Sequence, residues 1–304
     1  MTPPLGRILP LVLLGVALGA CHGERRGDGD TFGPGFDAAP ESPVDAAPAD
    51  TAPADTAPAP SACKAAPQAL RTTGSILTLI VQLRYNGGDF VFGEPNVGPA
   101  GETITPLNLR FYVSHVALTR QNQAPLPVDL VTPAGEVVPH GVHLFNAEDA
   151  ASSVLRVLAP PGEYTGVSFT LGVDDACNSE SPMLHSPPLT DGSQMTWPHL
   201  AGYLFLRYEA QVTPAGAQPN QIHMGGTPKR VFAPTVSATG PLTVPDAPEI
   251  SAHLNLQMDY VFRGATSEID PSAQSPLPGF PEVLAGDRLR EHAPQLPLFV
   301  LELW

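Results

Sequence analysis

Leu204-Phe205-Leu206-Arg207-Tyr208-Glu209-Ala210-Gln211-Val212 is the stretch that decides the fold class. Leu204, Leu206, Tyr208 and Val212 are apolar, and Arg207, Glu209 and Gln211 stand opposite them. Successive side chains of a strand leave opposite faces, so one face meets a core and the other meets water. The same period of two recurs along the chain. It appears in Leu77, Leu79, Val81, Leu83 and Tyr85, in Leu107, Leu109, Phe111 and Val113, and in Val167, Phe169 and Leu171. Leu254, Leu256, Met258 and Tyr260 alternate with His253, Asn255, Gln257 and Asp259, and Leu296, Leu298 and Val300 form the last run. Clusters such as Ala159-Pro160-Pro161-Gly162 punctuate these runs, and no long stretch has helical spacing free of Pro. Many strands separated by turn signals predict an all-β fold, an antiparallel β-sandwich of the immunoglobulin-like kind. Its loops are long, above all Asp174 to Thr196, and long loops often carry function.

The N-terminus reads as an address. Arg7 supplies a positive charge, Ile8 to Ala17 a short apolar run, and Leu18-Gly19-Ala20 the small residues before Cys21. This predicts a signal peptide over residues 1–20, too short to remain as a spanning helix. Leu18-Gly19-Ala20-Cys21 also resembles a bacterial lipobox, which implies lipidation of Cys21. His22 rather than Asp follows it, so the expectation is the outer membrane of a bacterial cell envelope. Residues 21–64 then read as a tether. The near-repeat from Asp45 to Pro58 is built of Ala, Pro, Asp and Thr, with nothing large to bury. Residues 65–304 are the expected folded domain.

The formal charge is −15. Residues 1–62 hold eight acids and three bases and contribute −5, which leaves −10 on the body. A body of that sign is a poor partner for a nucleic-acid backbone. With Cys21 assigned to lipid, Cys63 and Cys177 remain. In an oxidising compartment they pair as a disulfide or stay as two free thiols, and the compartment favours the disulfide.

Enzyme signatures are missing: no Gly-x-Ser-x-Gly, no phosphate loop, no His-Glu-x-x-His and no Cys-x-x-Cys-His. The unusual piece is Met195-Thr196-Trp197-Pro198-His199, just before the deciding strand. Downstream, Ile222-His223-Met224-Gly225-Gly226 sets another His beside another Met. His with Met suits copper better than magnesium or calcium, although Trp197 could equally be a core residue and either His an ordinary hydrogen-bonded one. Trp197 and His199 are two apart and share a face on an extended chain. The Pro-, Gly- and Ala-rich segment Thr213 to Asn220 reads as a turn that returns His223 toward them. His115 and His143 sit in strand-like segments and rank second. His253 lies on a polar strand face, and His140, His185 and His292 read as loop residues.

Several islands, in order, resemble the MbnP-like copper-binding proteins of the metallo-mystery-pair type. They are Leu109-Arg110-Phe111-Tyr112-Val113-Ser114 with Val116-Ala117-Leu118, then Tyr164 to Val173, then Ser186-Pro187-Pro188-Leu189 through Met195-Thr196-Trp197. Gly202-Tyr203-Leu204-Phe205-Leu206-Arg207 and Ile222-His223-Met224-Gly225 complete the series. Many members carry a four-Cys pattern where this body has two, and Ser179 stands where His is common, so the chain is a divergent member. The resemblance implies a secreted β-sandwich that binds copper through Trp197, oxidised to kynurenine, with His199 and His223. It also implies a dihaem partner of the MauG type that performs the oxidation, with Met195, Leu200 and Met224 excluding solvent. Two other readings compete. One is a surface scaffold or adhesion domain that has lost the metal site. The other is a carbohydrate-active enzyme using Asp174, Asp175, Glu180 and Asp191, although loop acids are usually solvated.

Overall fold

The computed structural model describes residues 62–69, 74–98, 101–179, 181–197, 202–214, 221–225, 235–266 and 281–303. The signal segment, Cys21 and most of the tether lie outside them, as do Glu180, His199 and Leu200. The main strands are β1 (Ser75–Tyr85), β2 (Thr103–Thr119), β3 (Val142–Asn146), β4 (Val154–Ala159) and β5 (Gly162–Leu171). They continue as β6 (Leu204–Thr213), β7 (Gln221–Gly225), β8 (Thr235–Val244), β9 (Glu249–Gln257) and β10 (Phe299–Leu303). The helices are α1 (Asp175–Asn178), α2 (Met258–Thr266) and α3 (Pro281–His292).

The strands form one hydrogen-bonded path, β7-β6-β2-β5-β8-β10-β9-β1-β4, with β3 paired to β2. The path doubles back on itself. Phe111 of β2 and Phe299 of β10 are not ladder neighbours, yet their rings meet edge-on at 5.9 Å, and Phe169 of β5 meets Phe299 at 4.8 Å. These rings lie inside two facing layers, so the fold is an all-β sandwich built on the alternation in the sequence. Most ladders are antiparallel, as expected, but β8–β10 and β9–β1 run parallel. The last strand causes the first exception: β10 enters between β8 and β9, antiparallel to one and therefore parallel to the other.

Three local expectations need correction. The run Leu254 to Tyr260 is not one strand: β9 stops at Gln257 and α2 begins at Met258. Met258, Val261 and Phe262 are buried, a spacing of three and four rather than two. The last run has its phase shifted, because Phe299 and Leu301 point inward while Val300 is half-buried. Leu107 is 56 % exposed. Glu209 pairs with Asn108 and Ala210 with Pro106, so Leu107 is the extra residue of a β-bulge and is turned out to solvent.

From Asn108 to Ser114, β2 is buried on both faces. The segment from Asp174 to Thr196 is the cause, because it is a packed cover rather than an open loop. The Tyr112 hydroxyl donates to Pro188 O and bonds the Ser193 hydroxyl, and Tyr203 O–H donates to Leu189 O. Asn178 Oδ1 accepts from Tyr203 N at 2.8 Å, tying α1 to the chain entering β6.

Candidate metal centre

The β3-β2-β6-β7 ladder sets Asn146, Arg110, Arg207 and His223 side by side. Residues directly opposite each other share a face, so this row is polar as a unit. Arg110 is buried, and each part of its guanidinium has a partner. Nη2 pairs with Glu148 at 2.7 Å, Nε donates to Asn146 Oδ1 at 3.3 Å, and Nη1 donates to Ser193 O and Gln194 Oε1, both at 3.0 Å. Arg207 reaches the same segment, with Nη1 donating to Gln194 O at 3.2 Å. Two arginines on adjacent strands therefore hold Ser193 and Gln194 in place. Gln194 takes a left-handed backbone turn, φ 58°, which redirects the chain into Met195-Thr196-Trp197.

That segment docks on the start of β6. Met195 O accepts from Leu204 N at 2.7 Å, and Thr196 bridges Tyr203. Met195 is fully buried and Trp197 half-buried. The indole lies against Gly225 of β7. A Cβ there would come 2.6 Å from Trp197 Nε1 and 2.8 Å from both Cζ2 and Tyr203 O, so only glycine admits the ring. The Trp197 and His223 ring centroids are 6.4 Å apart and steeply inclined. Trp197 Nε1 is buried with no hydrogen-bond partner among the described residues, which is uncommon for an indole N–H. His223 Nε2 is 3.0 Å from Glu209 Oε1, and the same oxygen accepts from Arg207 Nε at 2.9 Å.

The structure therefore brings Trp197 and His223 together, while His199 lies outside the described residues. Met224 does not shield them. Ile222 and Met224 are buried on the core face of β7, and His223 is on the other face. The hairpin register places Arg207, not the first residue of β6, opposite His223, and the residue opposite Leu204 is Gly225. Glu209, Arg207, Arg110 and Gly225 shape the site and were not singled out from the sequence. The alternation in β6 did put Arg207 and Glu209 on the polar face, but their partners are set by cross-strand register, which one sequence does not reveal.

His140, His143 and His185 are engaged elsewhere. His140 is buried, its Nε2 donates to Pro187 O, and its Nδ1 accepts from Val142 N. His143 donates to Ser152 O at 2.7 Å. Burial holds both imidazoles below their ordinary value of 6.5, partly offset by the carbonyl each one bonds. His185 Nδ1 bonds the Tyr203 hydroxyl, His115 sits exposed at a bulge in β2, and His292 ends α3 rather than lying in a loop. Cys63 and Cys177 form a disulfide with Cα atoms 5.6 Å apart. Asp174 lies with their sulfurs in a cluster whose ligand atoms fall within 4.8 Å. Both thiols are used by the cross-link and Asp174 Oδ1 accepts from Cys177 N, so this cluster acts as a staple. Asp175 and Asp191 fall in separate short helical turns, α1 and Asp191–Ser193.

Fold and site together define a class: an all-β sandwich with an indole–imidazole pair at the open end of one hairpin. The MbnP family model matches residues 74–276, and the chain belongs to that family. The structure of MbnP from Methylosinus trichosporium matches with a TM-score of 0.50 at 16% identity, covering 76% of this chain and 99% of that one, a likeness of fold. No curated protein is similar enough to the chain to extend the comparison.

Proposed function

We propose that the chain is an exported, lipid-anchored copper-binding protein of the bacterial envelope, outer membrane by its sorting signal. In this reading it acts in copper acquisition or handling and is not an enzyme. Copper is held by His199, His223 and Trp197 after a dihaem MauG-type partner has oxidised that Trp to kynurenine. The observation that carries the reading is the 6.4 Å approach of Trp197 to His223 from two separate segments. Family membership supports it.

The described residues fit such a group. An intact indole offers no good metal donor, whereas kynurenine presents an aromatic amine and a carbonyl, and a neutral imidazole beside them is a donor suited to copper. The buried Nε1, without a hydrogen-bond partner among the described residues, becomes that amine, so the oxidation turns this N–H into a usable donor. The arginine clamp on Gln194 and the glycine seat at Gly225 hold the ring where the imidazole can meet it. When bound, copper supplies a one-electron redox centre.

The test is the intact mass and metal content of the protein purified from its own cells. Conversion removes one carbon from the peptide containing Trp197 and adds one oxygen net. His199→Ala and His223→Ala, each co-expressed with the partner, should lose copper. If both hold it as tightly as wild type, the assigned site is wrong, and if wild type itself carries no copper, the chain is a surface scaffold that kept only the sandwich. Palmitate label should depend on Cys21 and disappear in Cys21→Ser.

A further inference from the structure

We infer that Glu209, held by Arg207, fixes the Nε2–H of His223 and so leaves Nδ1 as the only ring nitrogen of His223 open to a metal. This rests in part on the copper reading above, but its first half concerns the metal-free protein. A carboxylate only accepts, so the 3.0 Å contact between Glu209 Oε1 and His223 Nε2 requires the proton on Nε2. In the neutral imidazole the lone pair is then on Nδ1.

The carboxylate is itself held. Arg207 Nε donates to Glu209 Oε1 at 2.9 Å, and Nη2 lies 2.9 Å from the same oxygen. Arg207 Nη1 donates to Gln194 O, three residues before Trp197. One guanidinium thus joins the segment that seats the indole to the carboxylate that orients the imidazole. All three side chains are largely withdrawn from water, at 25%, 23% and 18% exposure for Arg207, Glu209 and His223. Turning Nε2 toward a metal would break the Glu209 contact and leave a half-buried carboxylate short of a donor. Among the described residues, presenting Nδ1 breaks no hydrogen bond. Glu209 is a positioning residue: it acts on the metal through His223. Carboxylates that fix a ligating imidazole in this way typically carry about 10- to 100-fold in metal affinity.

Long-range nitrogen–proton NMR of the full chain, labelled at histidine nitrogen, reads the tautomer directly. The His223 signals are identified by their absence in His223→Ala. In the metal-free wild type, His223 should be the Nε2–H form. Glu209→Ala should mix the two tautomers, and Glu209→Gln, which keeps the volume, should weaken the preference. Cu(I) ion added to protein carrying the modified Trp197 should shift Nδ1 of His223 and leave Nε2 bearing its proton. Competition against a chromophoric Cu(I) chelator should show a loss of about 10- to 100-fold in both Glu209 variants, with circular dichroism and melting unchanged in Glu209→Gln. An Nδ1–H tautomer in the metal-free wild type overturns the inference whatever copper does. A Cu(I) shift at Nε2, or unchanged affinity in both Glu209 variants, overturns it as well. If neither nitrogen responds to Cu(I) while the metal-free tautomer is Nε2–H, copper binding at His223 fails and the metal half of the inference falls with it.

Discussion

Gly225 shows how a single residue can hold an aromatic ring in place. Its missing side chain is filled by the edge of Trp197, with the Tyr203 carbonyl closing the other side. Gly225→Ala forces a methyl to within 2.6 Å of the indole nitrogen, and the backbone oxygen at 2.8 Å cannot yield. The ring must leave, because the space cannot widen. The expected cost is about 1–3 kcal/mol, as for other overpacked sites. The indole should also become more exposed. Trp304 is the only other tryptophan, so the measurement belongs in a Trp304→Phe background. There, Gly225→Ala should shift Trp197 emission to the red and lower the denaturant midpoint. Unchanged emission would mean that the ring does not rest on this glycine.

At the scale of elements, the segment Asp174 to Thr196 is the most informative. Its length marked it in the sequence as a place for function, and in the structure it is the outer cover of β2 and β6. His140, at the entry to β3, is tied to it through Pro187 O, and its Nδ1 takes the amide of Val142. Both ring nitrogens work only while the imidazole is neutral. Protonating Nδ1 would remove the acceptor for Val142 and bury a charge. The folded protein therefore holds His140 below its ordinary value, chiefly through burial. The unfolded chain takes up its proton near 6.5, so this stability is present above about pH 6.5 and is lost as pH falls toward the folded-state value. His143 adds to the same acid-side slope. His140→Asn cannot titrate and should flatten that slope by up to about 1.4 kcal/mol per pH unit, measured by denaturation from pH 7 downward. An identical slope would show that His140 is not the group responsible. The strands were legible because each exposes one face, which writes itself into the sequence as a period of two. The start of α2 was not, because Met258 and Tyr260 continued the alternation of β9 by coincidence. The bulge at Leu107 was not, because a bulge depends on the partner strand. At the site, the residue types of Trp197 and His223 could be read, while Glu209 and Arg207 acquire their roles from register alone.

For the whole molecule, the long-range covalent tie is Cys63–Cys177, which joins residues 114 positions apart. It attaches the short helical turn Ala62–Lys64 to α1 in the cover. Hydrogen bonds run alongside it: Ser186 N donates to Cys63 O at 3.0 Å, and the Ser186 hydroxyl donates to Lys64 O at 3.0 Å. The cross-link acts most strongly on the unfolded state, where a loop of this length loses closure entropy worth about 4–5 kcal/mol at 25 °C in the chain-entropy model. Natural disulfides give about 2–5 kcal/mol on removal, and the parallel hydrogen bonds argue against added native-state disruption here. The Cys63→Ser, Cys177→Ser double variant should therefore fold to the same sandwich, with its denaturant midpoint lowered to match a loss of about 2–5 kcal/mol. Wild type in reductant and denaturant should follow the variant's curve, which separates the bond from the substituted atoms. Cover and site are joined through Asn178 and Tyr203, so a local effect would appear as altered Trp197 emission before global unfolding. If the midpoint does not move, the segment around Cys63 detaches without unfolding the sandwich. The cross-link would then secure only the entry point of the chain and contribute nothing to the stability of the body.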